Sequence, residues 1–326
     1  MITSHAALLI GTFITSYLTA KLISKIKHPK LLVPDIHKPE RPLIPKIGGV
    51  AVITSSIYAL ACSYILNIID TKLMLLLFFS IFSGCLGLID DLIEIEPLIR
   101  VSLTIMPGIV ITCLGVVSQL TIPPIGILQN MLLINTITLL ALPIYSNAVN
   151  MLEVVNGVIP ASVCIIMLTM TLISTIVGKY VNIIPSLLVL SISFGVYLLN
   201  KYPARVFNGS SGTYALGALL GAYMILYDMC VPLLIASLPY IINGLLIITS
   251  SKGFKTRHKL RRPTVMNYSD GRVVVNPDPK APLTLMRLIV LSGPKTEKEI
   301  VNSIIILFIM SSILSLLTYL LLLPFH

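Results

Sequence analysis

Apolar residues in this chain run together in long blocks instead of alternating with polar ones, the pattern of helices surrounded by lipid rather than of half-buried strands. Blocks near the ~20 residues that cross a bilayer fall at 5–23, 47–69, 73–89, 101–120, 127–146, 158–178, 183–200, 211–227, 230–250 and 301–323. Lipid offers no partner to a backbone N–H or C=O, so helices are the expected form. The chain is predicted to be an all-α polytopic membrane protein with about ten transmembrane helices. Its first block lacks a basic leader and a small-residue cleavage motif, and reads as a retained helix. Residues 1–326 read as a single integral membrane domain, with 251–300 as a polar insert between the last two spans. Within that insert, Asp270-Gly271 between β-branched stretches predicts a small hairpin, and 282–291 predicts a short amphipathic helix at the membrane surface.

Composition supports a membrane class: 56% of the 326 residues are hydrophobic and only 11% are charged, against roughly 25% in soluble domains. Charge also supplies a direction. Of the 23 Lys and Arg residues, all but Lys72 and Lys179 fall in 21–46, 90–100, 147–157, 201–210 and 251–300, connections that alternate onto one face. The positive-inside rule makes that face cytoplasmic and puts both termini outside. The net charge of +10 then reads as topology signalling plus attraction to anionic headgroups. Nucleic acid is not an expected partner, because the cations are spread over four separate loops without a soluble module. Cys62, Cys85, Cys113, Cys164 and Cys230 lie in or beside apolar blocks with no paired spacing and are expected to pack.

Polar clusters at membrane depth are costly and tend to be functional, which directs attention to four of those connections. Asp90-Asp91 ends the third block; the pair is either a solvated cap or a site for a cation and its phosphates. Arg100, the one cation of that connection, is either a topology anchor or a fork for phosphate. Asn147, Asn150 and Glu153 are spaced to share a helix face and offer hard oxygens to a cation, although amides also cap helix ends. Asn208-Gly209-Ser210-Ser211-Gly212-Thr213 resembles an anion-binding turn at a helix start, although small residues are also common in membrane helices. Arg257, His258, Lys259, Arg261 and Arg262 open the 251–300 insert, as a diphosphate cradle or a juxtamembrane anchor.

Taken in order, these clusters resemble the polyprenyl-phosphate N-acetylhexosamine-1-phosphate transferases, in particular the archaeal and eukaryotic members that start N-glycan assembly on dolichyl phosphate. The resemblance covers nearly the whole chain. It is carried by Asp35-Ile36-His37-Lys38 through Pro45-x-x-Gly48-Gly49, Asp90-Asp91, Asn147-x-x-Asn150 with Asn156-Gly157, Tyr202-Pro203 through Gly209, and Arg257-His258-Lys259. It implies transfer of GlcNAc-1-phosphate from UDP-GlcNAc to dolichyl phosphate, giving GlcNAc-diphosphate-dolichol and UMP, with magnesium or, in its place, manganese. It further implies Asp90 and Asp91 as catalytic residues, and Asn150 as a magnesium ligand. Arg100, Asn147, Asn156, Arg257, His258 and Lys259 become substrate-binding residues, with Asn156 on the uridine side. The enzyme would be integral to a cell membrane, or to the endoplasmic reticulum in a eukaryote; a homodimer follows by analogy.

The chain departs from the family pattern in two places. Where the family has Gly-Asp, whose Asp is the second magnesium ligand, this chain has Gly209-Ser210. Three readings stay open: Glu153 supplies the missing charge, Asn208 and Ser210 hold the ion through water, or activity is lost. Lys46 also stands where relatives often carry Glu. The alternatives to the reading above are the same transfer with another UDP-N-acetylhexosamine or polyprenyl phosphate, and a silent homologue that binds nucleotide sugar or lipid phosphate.

Overall fold

The computed structural model describes residues 2–93, 95–123, 125–251, 253, 261–267 and 269–322. Twelve helices dominate these residues: α1 (Ile2–Ile23), α2 (Val50–Ile65), α3 (Thr71–Ile93), α4 (Pro97–Leu114), α5 (Met131–Met151), α6 (Val158–Ile176), α7 (Ile183–Asn200), α8 (Gly209–Leu226), α9 (Cys230–Ala236), α10 (Leu238–Ser251), α11 (Leu285–Leu291) and α12 (Glu297–Leu322). Six of them are long and apolar enough to cross a membrane, and a seventh span results if α9 and α10 count as one. Every predicted block contains helix, but α2, α4 and α8 fall outside this set, α2 and α4 being short. Among the described residues, six or seven helices of spanning length and apolarity thus stand where ten were expected.

The ninth block is not one helix. Its two halves, α9 and α10, meet at 67°. The break follows from sequence: Pro239, in the first turn of α10, has no N–H to continue the ladder of α9, while its fixed φ suits a helix start. Ser237 sits in the corner, where its hydroxyl meets the Tyr145 hydroxyl at 2.7 Å. The fifth block is shifted toward the C-terminus. Its first residues are taken by a hairpin of β3 (Leu120–Ile122) and β4 (Gly126–Leu128), and the helix runs on to Met151. Asp228 anchors that hairpin by accepting from the Thr121 N–H and hydroxyl, each at 2.6 Å, and by pairing with Lys179 at 2.9 Å.

The polar connections also have structure. β1 (Leu32–Pro34) pairs with β2 (Leu43–Pro45), antiparallel. In the 251–300 insert, β5 (Thr264–Asn267) and β6 (Arg272–Val275) form the hairpin expected at Asp270-Gly271, and α11 is the expected short helix.

α8 organises the bundle. Its residues Ser211–Leu226 are all buried, and it lies between α3 and α5, with α2 and α7 also touching it. A helix that is apolar all round belongs inside. Without water to drive helices together in lipid, close van der Waals approach does the work, and small residues permit it. Gly217 and Gly221 face α5; a Cβ at Gly217 would fall 2.6 Å from Ser146 Cα. Since the obstacle is backbone, Gly217→Val is expected to cost about 1–3 kcal/mol or more through overpacking. A thermal unfolding scan of the purified variant in detergent, beside the wild type, measures that loss.

Candidate active site

The first turn of α8 is where the predicted residues meet. Strand-like pairing of 45–49 with 207–208 fixes the approach: Phe207 N donates to Pro45 O, and Gly48 N and Gly49 N donate to Phe207 O and Asn208 O, all at 2.8 Å. The chain then turns at Gly209 with φ +66°, where a Cβ would lie 2.1 Å from Lys46 O and 2.6 Å from Asp91 Oδ2. No side chain fits there.

A helix start leaves backbone N–H groups without partners and carries partial positive charge. Here acids take them up. Gly209 N donates to Glu153 Oε1 at 2.9 Å, Ser210 N to Asp91 Oδ1 at 2.9 Å, and Ser211 N to Asp91 Oδ2 at 3.0 Å. The Thr213 hydroxyl donates to Asn150 Oδ1 at 2.9 Å. Asp91, Asn150 and Glu153 therefore converge from the ends of α3 and α5 onto one helix terminus. Asn147 and Asn150 lie on the last turns of α5, but Glu153 lies beyond the helix end and does not share their face.

Asp90, nearly buried at 8% exposure, turns the other way. Its Oδ1 accepts from Ile95 N at 2.9 Å and lies 3.3 Å from Arg100 Nη2, which also donates to Ile95 O at 2.9 Å. Arg100 Nε is buried and donates to nothing among the described residues. Asn147 Nδ2 donates to Pro143 O at 2.8 Å and Thr104 Oγ1 at 3.4 Å, bridging α5 to α4. Lys46, the second departure noted in the sequence, donates from Nζ to Asp91 O at 2.6 Å. A cation suits that position, because the carbonyls of the last helical turn carry the negative end of the dipole.

Asn156 belongs to a second cluster that sequence reading did not assemble. Its backbone N–H donates to Glu297 Oε1 at 3.1 Å and its Nδ2 to Asp35 Oδ2 at 3.0 Å. Asp35 and Glu297, each 3% exposed, come from the loop after β1 and from the head of α12. The one signal in the sequence is the acid at each place: the Asp35-Ile36-His37-Lys38 stretch, and Glu297 in the charged Glu297-Lys298-Glu299 start of a long apolar helix. Asparagines connect the two clusters, since Asn200 Oδ1 accepts from Gly157 N at 3.1 Å and from Asn208 Nδ2 at 3.2 Å.

Asp35, His37 and Glu297 bring ligand-type atoms within 4.8 Å of one another. Lys38, however, pairs with Asp35 and stands 3.9 Å from Glu297 Oε2. An ammonium group already balances these carboxylates, so the cluster is better fitted to hold a loop than a divalent ion. The better oxygen set for a hard cation is the one around α8: the carboxylates of Asp91 and Glu153 and the amide of Asn150. Asn208 Oδ1 stands just before Gly209, buried and accepting no bond among the described residues. Arg257, His258 and Lys259 lie outside the described residues; nearby, Arg261 pairs with Asp278 at 3.0 Å.

The sequence profile of glycosyl transferase family 4 matches residues 73–228, the stretch from α3 through α8 that holds Asp90, Asp91, Arg100, Asn147, Asn150, Glu153 and Ser210. A Saccharolobus solfataricus protein with the provisional name UDP-N-acetylglucosamine–dolichyl-phosphate N-acetylglucosaminephosphotransferase is 32% identical over 256 residues, covering 76% of this chain and 78% of the relative. This chain belongs to glycosyl transferase family 4. A relative from Sulfolobus acidocaldarius with the same provisional name is 31% identical over 250 residues, 74% of this chain and 76% of its own. The family reaches into bacteria: the phospho-N-acetylmuramoyl-pentapeptide-transferase of Halalkalibacterium halodurans is 27% identical over 229 residues, 66% of this chain and 70% of its own. Asp35 and Glu297 of this family 4 protein lie outside the segment that the profile covers.

His37 supplies a pH handle on the second cluster. Burial, helped by Arg262 and Lys38 and opposed by Asp35, brings its imidazole from an ordinary 6.5 down to about 4. The unfolded chain therefore binds a proton between those values that the folded chain refuses, and stability falls as pH drops from 6.5 toward 4. Thermal midpoints across that range should drop more steeply in the wild type than in His37→Asn. Equal slopes would remove His37 from the account.

Proposed function

We propose that this protein transfers GlcNAc-1-phosphate from UDP-GlcNAc to dolichyl or another polyprenyl phosphate and releases UMP. In this reading all ten helical passes cross the membrane, the termini lie outside, and the α8 terminus faces the cytoplasm. The observation that carries it is the convergence of Asp91, Asn150 and Glu153 on the first turn of α8, within a family whose relatives bear phosphosugar-transfer names.

An oxygen of the lipid phosphate attacks the β-phosphorus of the nucleotide sugar. One P–O bond forms there as the bond to the bridging oxygen breaks, and UMP departs with the electron pair. A phosphate monoester has its second pKa near ~6, so the attacking oxygen is already largely ionised at neutral pH and needs no strong base. The difficulty is charge, because donor and acceptor together bring roughly four negative charges. Arg100, with the Arg257-His258-Lys259 set, balances part of them. Asp91, Asn150 and Glu153 would hold magnesium, or manganese, which when bound supplies the remaining neutralisation. Asp90 orients Arg100, and Asn156, fixed by Asp35 and Glu297, meets the uridine.

Ser210 replaces a carboxylate, and Glu153 supports the first of the three open readings, since its Oε1 already sits 2.9 Å from the neighbouring Gly209 N. Glu153→Gln should therefore raise the magnesium midpoint for turnover, and Ser210→Asp should lower it. Asp91→Asn should cut turnover about a hundredfold or more, as for loss of a preorganised charge in a site. Purified protein with radiolabelled UDP-GlcNAc, dolichyl phosphate and a magnesium titration gives all three, read as label in lipid and stoichiometric UMP. Retained UDP-GlcNAc binding with no product at any divalent concentration would make this a silent homologue. The bacterial relatives favour one second reading, the same transfer with a different UDP-N-acetylhexosamine conjugate.

A further inference from the structure

A cavity of about 370 Å³ opens beside the polar end of α1, between that helix, the β1–β2 hairpin and the start of the segment that leads into α8. Lys25, Lys27 and Arg205 line it, and none of the residues lining it is acidic. Its remaining wall is largely apolar, with Ile26, Leu43 and Ile44 among the contributors. All three cations are exposed. None of them has a role in the proposed transfer.

The surface leading to this cavity is apolar in a regular way. Ile10, Ile14, Leu18 and Leu22 are exposed at 58%, 44%, 48% and 67%. Their spacing of four residues puts them in one line along α1, and the line ends just before Ser24 and Lys25 at the cavity mouth. A long apolar ridge capped by a basic recess has the shape of an acyl chain capped by a phosphate. Basic recesses between membrane helices suit anionic headgroups, because cations at the surface of a membrane attract phosphate while the acyl chains remain in the hydrocarbon.

We infer that the cavity is a binding site for an anionic membrane phospholipid, its phosphate held by Lys25, Lys27 and Arg205 and its chain laid along the α1 ridge. The cavity backs onto the substrate-facing loops. Pro45, in its wall, accepts from Phe207 N at 2.8 Å, and Lys46, the next residue, holds the end of α3. A seated lipid would brace the pairing that positions the first turn of α8.

The test uses the full chain in neutral detergent, titrated with phosphatidylglycerol or phosphatidylcholine and followed by native mass spectrometry. Wild type should retain phosphatidylglycerol in preference to phosphatidylcholine. The triple variant Lys25→Ala, Lys27→Ala, Arg205→Ala should bind phosphatidylglycerol about ten- to a hundredfold more weakly. A control with three other exposed cations removed, Lys30→Ala, Arg272→Ala and Lys280→Ala, should bind as the wild type does. Equal loss in both triple variants, or no preference between the two lipids, would overturn the inference in favour of diffuse surface charge. Displacement of the lipid by glycerol phosphate at matched concentration would equally overturn it, by showing that the recess reads a soluble phosphate.

Discussion

A helix that starts inside a protein must find acceptors for the N–H groups of its first turn, and α8 has no water to turn to over most of its length. The acceptors are carboxylates, the strongest that side chains offer, delivered by Asp91 at the end of α3 and Glu153 just beyond α5. Those are the two helices that flank α8. The packing of the bundle and the placing of the acids are thus one arrangement. Each carboxylate oxygen has a second lone pair beyond the one used in capping, so stabilising the helix does not exhaust the acids' capacity to hold a cation or order water.

Charges around the site come in balanced sets. Asp90 faces Arg100, the backbone end that carries Asp91 receives Lys46, and Asp35 and Glu297 share Lys38. A buried polar region is less costly when its own charges compensate, and in the transfer proposed above the substrate phosphates would meet groups already oriented. Lys46 shows how a departure from the family pattern can be structurally coherent: an ammonium group on a helix carboxyl end is favourable where a carboxylate would not be.

Much of this was readable in the sequence. Helix is found in each of the ten apolar blocks, six of them holding helices long and apolar enough to cross a membrane, and Asp270-Gly271 forms its hairpin because local turn chemistry is strong. Asp91, Asn150 and Glu153 were visible as polar residues where polar residues are expensive. What resisted reading is long-range. The bend between α9 and α10 depends on a proline that hydropathy scores as ordinary, and the β3–β4 hairpin rests on Asp228, more than a hundred residues away in sequence. Likewise Asn156 and Glu297 are 141 residues apart, and nothing in either neighbourhood announces the other. The shared helix face expected for Asn147, Asn150 and Glu153 failed for a simple reason, since α5 stops at Met151 and the chain turns before Glu153.

Glu297 also orders the making of the protein in time. It stands at the head of the last helix, yet it supplies the acceptor for the Asn156 N–H in the connection between α5 and α6. A chain emerging from the ribosome can insert α1 through α10 and still lack that acceptor. Completion of the Asp35–Asn156–Glu297 cluster therefore waits for α12, and a product truncated before Glu297 leaves that cluster unfinished.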